Sequence, residues 1–190
     1  MRFTRILRFV LVLSTFVLAA ALVMAQDDAD AQAKIDNAMS AAPSEVSAEA
    51  TILDNEVDDT GAFIVLREGT NSWTCFPDNP GSPGNDPLCL DPAFMQWYDA
   101  LVAGEEPNLT GPGLAYMLQG GSEASNTDPT LLEPAEGEDW VSTPPHIMVA
   151  FPDDIDPALF STDHEAGGPY VMWAGTPYEH IMMPVTDHEH

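Results

Sequence analysis

Apolar residues recur along this chain at two spacings, and the spacing changes from segment to segment. In AQAKIDNAMSAA (31–42), Ile35, Ala38, Met39 and Ala42 fall three or four apart, one helix face, before Pro43 stops the run. DPAFMQWYDALVAG (91–104) repeats that spacing with clearer ends. Asp91 stands at the N-cap, Pro92 at the first helical position and Gly104 past the last turn. Phe94, Trp97, Tyr98, Leu101 and Val102 form its predicted buried stripe.

Elsewhere the runs are short, rich in β-branched and aromatic residues, and bounded by Pro or Gly. ATILD (50–54) and AFIVLRE (62–68), separated by Asp-Asp-Thr-Gly material, predict a hairpin. GLAYMLQ (113–119), HIMVAF (146–151), PYVMWAG (169–175) and EHIMMPV (179–185) predict four further strands. A Gly175 to Tyr178 turn suits antiparallel pairing of the last two. Strands outnumber helices and do not alternate with them. The expected fold class is therefore α+β: one domain, with an antiparallel sheet and two packed helices.

The ends alter this picture. MRFTRILR carries three arginines, residues 9–23 hold no charge, and Val23-Met24-Ala25 places small residues before Gln26. These are the three parts of a secretory signal peptide over residues 1–25. The expected organisation beyond it is a flexible acidic start at 26–33, the domain at 34–185 and a disordered tail at 186–190. After cleavage only Lys34 and Arg67 oppose 31 Asp and Glu. Such a surface repels phosphate backbones and anionic membranes, so nucleic acid and membrane are excluded as partners, while small molecules or metal cations are not. The compartment implied is the periplasm or the surrounding medium.

Export gives the two cysteines a meaning. Cys75 and Cys89 enclose FPDNPGSPGNDPL, where proline and glycine define turns but supply little apolar surface. A disulfide supplies the constraint that packing cannot. Asp78, Asn79, Asn85 and Asp86 offer oxygen ligands for calcium, but without the alternation of an EF-hand loop.

Taken in order, WTCFPD, PLCLD, AYMLQGGSEASNTDP, PPHIMV and GGPYVMWAGTPYEHIMMPV resemble a family of exported bacterial proteins without an established function. The resemblance spans roughly Ile35 to Val185. It implies a single periplasmic or secreted domain and brings no catalytic residues.

Two features carry candidate chemistry. GGSEASNTDP (120–129) follows a strand and crowds Ser122, Ser125, Asn126 and Asp128 into one loop, either as a binding site or as residues bracing their own backbone. In HIM at 146–148 and again at 180–182, His and Met stand two apart and so project from one strand face. If those faces met that of Met172, then His146, Met148, Met172, His180 and Met182 would offer imidazole and thioether to copper or zinc. No GxSxG, HExxH, P-loop or dinucleotide fingerprint is present, so an enzyme is the less favoured class. The expectation is a binding or structural domain. The alternatives are a periplasmic copper or zinc binder and a secreted hydrolase using a serine of the 122–125 loop.

Overall fold

A computed structural model describes residues 28–185. The expected signal peptide and the tail at 186–190, with His188 and His190, lie outside the described residues. Two compact units are distinguished, Met1–Lys34 and Ile35–His190. Of the first, residues 28–34 are described, and they are helical. Helix α1 runs through residues 28–39. It thus includes 28–33, expected to be flexible, where alternating alanines supply the strongest helix former. It stops at 39 rather than 42, and a turn carries the chain to Pro43.

The second unit is built on one eight-stranded sheet. Its strands are β1 (Thr51–Val57), β2 (Phe63–Arg67), β3 (Thr74–Phe76), β4 (Leu88–Leu90), β5 (Gly113–Met117), β8 (His146–Ala150), β9 (Tyr170–Met172) and β10 (His180–Pro184). Their order is β2-β1-β3-β4-β5-β8-β10-β9. Every pair is antiparallel except β1 with β3. Strands β6 (Gly121–Glu123) and β7 (Val141–Thr143) form a separate antiparallel pair. The mixed α/β content and the large, mostly antiparallel sheet are those expected, and both predicted hairpins form. A short third helix, α2 (Ser44–Ser47), adds to the two foreseen.

Register assigns each residue a face. Cys75 opposes Cys89, and Cys89 opposes Tyr116, so these share one side with Ile52, the partner of Cys75. That side packs Ile52 and the disulfide against Ala38, Ala41 and Ala42 of α1 and the turn after it. The disulfide itself joins residues directly across β3 and β4, with Cα atoms 4.0 Å apart.

The opposite face carries Phe76, Leu90, Ala115, Met148 and Met182, and helix α3 (Pro92–Ala103) lies on it. Asp91 caps α3, its Oδ1 accepting from the N–H groups of Ala93 (3.0 Å) and Phe94 (2.7 Å). Gly104 closes it in the left-handed region, φ 68°. The N-terminus of α3 sits tightly on β5, since a Cβ at Gly113 would lie 2.5 Å from the Phe94 nitrogen. Phe94 and Trp97 are buried, Tyr98 and Leu101 half-buried. Val102, expected in the stripe, is 61 % exposed, because five apolar positions span more arc than a flat sheet covers. Among the described residues no helix is long and apolar enough to cross a membrane.

Candidate functional site

Between α3 and the sheet a cavity of about 180 Å³ remains. Its walls are Phe94, Trp97, Tyr98 and Leu101 from α3, and Met117, Met148, Met172 and His180 from the sheet. Trp173 follows β9, Ser122 and Glu123 come from β6, and Leu88, Asn79 and Asp86 come from β4 and the disulfide-tied loop before it.

The aromatic wall is ordered by ring packing. Trp97 and Trp173 stack with centroids 5.9 Å apart and planes 6° from parallel. His180 meets both edge-on, at 5.1 and 5.2 Å. Trp173 holds this position at a conformational cost. Its φ of 54° lies in the left-handed region, alone among the described non-glycine residues, where a bulky side chain is rare. Two bonds from the 120–128 loop fix it: its N–H donates to the Asn126 carbonyl (2.9 Å) and its Nε1–H to the Ser125 carbonyl (2.8 Å).

That loop divides into two roles. Ser122 lines the cavity. Ser125 braces the turn, its Oγ accepting from the N–H groups of Thr127 and Asp128. Asp128 accepts from Thr130 in the same manner and is exposed. Asn126 donates to the Thr162 carbonyl.

Register brings the expected imidazole and thioether set onto one face, the core face beneath α3. Met148 opposes Met182, and Met172 opposes His180. His146, however, opposes Pro184, four positions from His180. At the rise of a strand that separates the two along the sheet by about 14 Å, too far for one ion to bind both. Each ring donates its Nδ1–H to a backbone carbonyl, His146 to Pro144 (2.8 Å) and His180 to Tyr178 (3.0 Å). Burial pushes both down to about 4, against those carbonyl bonds, so both are neutral at pH 7 with Nε2 as an acceptor. Among the described residues no group of three or more His, Cys, Asp or Glu gathers around a metal position. Nor does either histidine pair with a serine or a carboxylate, the contacts a serine nucleophile needs.

Glu123 and Trp97 were not foreseen as site residues. Glu123 lines the cavity half-buried, and no Lys or Arg lines it. Burial, with the Asp86 charge nearby, pushes its carboxyl up to about 7. Asp86 is also raised by burial, although the Ser82 hydroxyl donates to it at 2.6 Å. Trp97 is 4 % exposed and its Nε1–H has no acceptor. His146 Nε2 and the Tyr170 hydroxyl are likewise buried without partners. Native interiors leave few such groups, and of these Trp97 belongs to the cavity wall. Strand β6 is only three residues long, and no periodicity announced that Glu123 would turn inward. Trp97 lay in the predicted stripe, but its nitrogen gave no signal.

Compared with family models, with characterised proteins and with solved structures, the chain matches none. The site must be interpreted from its own chemistry.

Proposed function

We propose that this is an exported, periplasmic or secreted binding domain whose ligand occupies the cavity between α3 and the sheet. One observation carries the reading: an aromatic-walled space lined by Trp97, whose buried Nε1–H has no partner among the described residues, and by the Glu123 carboxyl. Leaving such a donor unsatisfied costs about 1–3 kcal/mol, so a ligand that pairs it gains what the empty fold forgoes. The strained Trp173, held by the 120–128 loop, fits a wall set in advance for that ligand. Its size suits a small metabolite, being below the usual range for drug-sized ligands. Export accords with the disulfide, and the acidic surface argues against nucleic acid.

Thermal melts of the oxidised protein with a panel of small cations, anions, neutral polyols and metal ions test the proposal. A ligand at a hundred times its Kd adds about 2.7 kcal/mol of stability, so at least one class raises the melting temperature in a saturable way. Trp97→Phe, which deletes the orphan donor and keeps a ring, weakens that response. Flat melts across the whole panel contradict the proposal.

A further inference from the structure

The make-up of the cavity wall specifies a ligand, and this step rests on the binding reading just given. The wall combines two carboxylates, Glu123 and Asp86, with aromatic rings, and contains no Lys or Arg. Of the two basic residues described, Arg67 is engaged at the other face. Its guanidinium donates to the Ser47 and Ala50 carbonyls, both at 2.9 Å, and lies 3.0 Å from the Met39 sulfur. A charge placed in the cavity is therefore complemented only if it is positive.

A metal ion does not suit the walls. Among the described residues no group of three or more His, Cys, Asp or Glu gathers where a metal ion could sit, and beside its two carboxylates this space offers Ser and Asn oxygens only amid indole and phenol rings. Aromatic faces do attract organic ammonium groups, more strongly when water is excluded. Trp97 adds a second requirement. Its Nε1–H is a donor, so the ligand must also present an oxygen. The neutral His180, whose Nδ1–H is taken by the Tyr178 carbonyl, leaves an acceptor nitrogen for a ligand hydroxyl or ammonium proton. An anionic oxygen would meet Glu123 and Asp86 unfavourably, which leaves an alcohol.

We infer that the cavity binds a small organic cation bearing a hydroxyl group, an amino alcohol or its N-methylated form. The ammonium lies against Glu123 and the aromatic wall, and the hydroxyl oxygen accepts from Trp97. Space for about six waters fits a ligand of this size. The entrance lies at the disulfide-tied loop, where Asn79 lines the cavity and is exposed. The loop thus holds Asp86 in place as well as closing itself.

Isothermal titration of the oxidised protein with ethanolamine, with choline and with 3,3-dimethyl-1-butanol, the uncharged counterpart of choline in shape, tests this directly. At least one of the two cations is expected to bind at least about tenfold more tightly than the neutral alcohol, the loss of one charge-assisted contact. The difference grows as pH rises from 6 to 8 and Glu123 ionises. Glu123→Gln reduces cation affinity by about tenfold or more. The empty variant melts no lower than the wild type, because it exchanges a carboxyl whose charge burial disfavours for a neutral amide, so failure to fold does not confuse the result. Equal binding of the neutral alcohol, or cation binding indifferent to Glu123→Gln, overturns the inference. If the alcohol binds and Trp97→Phe weakens it, the cavity is a binding site but its ligand is not a cation. If neither the cations, the alcohol nor the wider panel binds, the binding reading falls as well.

Discussion

The two faces of the sheet solve the same burial problem in opposite ways. On the disulfide side, alanines of α1 and the turn after it lie against Ile52 and the Cys75–Cys89 bridge, and the polar groups around them are paired. Asn37 Oδ1 accepts from Asp78 N–H (2.7 Å) while its Nδ2–H donates to Asn85 Oδ1 (2.7 Å). On the α3 side the residues are larger and more aromatic. There a cavity remains, an indole N–H and an imidazole nitrogen lack partners, and Trp173 is held in a disfavoured conformation. A small, satisfied face stabilises. An unsatisfied one with room to spare is where binding chemistry resides.

The contrast can be broken most forcefully where the α3 face is well packed. Phe76 is fully buried against Phe63 and Tyr98 and does not line the cavity. Phe76→Ala should lower unfolding free energy by about 4 kcal/mol, read from urea midpoints at constant m. A loss under 1 kcal/mol would mean the aromatic side is loosely packed throughout rather than around one cavity.

Replacing both Cys75 and Cys89 with Ala comes next. It should cost about 3 kcal/mol, for a loop of this length, by the same measurement. Because the loop carries Asp86 into the cavity, the pair should also weaken any ligand that stabilises the oxidised protein.

The helix cap gives a smaller effect at a site common to both accounts. Asp91→Ala should remove about 1 kcal/mol by leaving the Ala93 and Phe94 N–H groups without their acceptor. Glu123→Gln is expected to have the opposite sign, leaving stability at pH 7 unchanged or slightly raised. A clear loss there would show that the carboxylate supports the fold.

Stability against pH sharpens the comparison last. The folded state holds the Glu123 proton up to about 7, so its contribution is full below the ordinary carboxyl value and is lost as pH rises to about 7. His146 and His180, depressed to about 4, act the other way. Their contribution is full above the ordinary 6.5 and is lost as pH falls towards 4. Unfolding at stepped pH should show the wild type declining slightly between 6.5 and 7 and Glu123→Gln level there, with both falling below 6.

How much of this was legible in the sequence depended on length. Helix α3 and the longer strands announced themselves because five or more residues suffice to show a period. The flanks of the disulfide, TCF and LCL, are three-residue strands, too short to show one. The His-Met alternation placed His146, Met148, His180 and Met182 on one face correctly, since a strand's period fixes the side. It could not fix register, which sets His146 against Pro184 and separates the histidines. The polar loop was visible as a cluster. Its division into braces, Ser125 and Asp128, and a cavity residue, Ser122, depends on which groups the backbone itself satisfies. Glu123 was hidden among them because its importance comes from its place in the cavity wall, which a three-residue strand does not announce.

The most direct test of the central claim is the indole proton of Trp97, followed by NMR and assigned through its loss in Trp97→Phe. Saturation with choline or ethanolamine, whichever binds more tightly, should shift this Nε1–H resonance downfield as it gains an acceptor, and slow its exchange with water. The Trp173 indole, already bonded to the Ser125 carbonyl, should move less. A Trp97 signal that stays in place and exchanges at an unchanged rate while the cation is bound elsewhere would contradict the account.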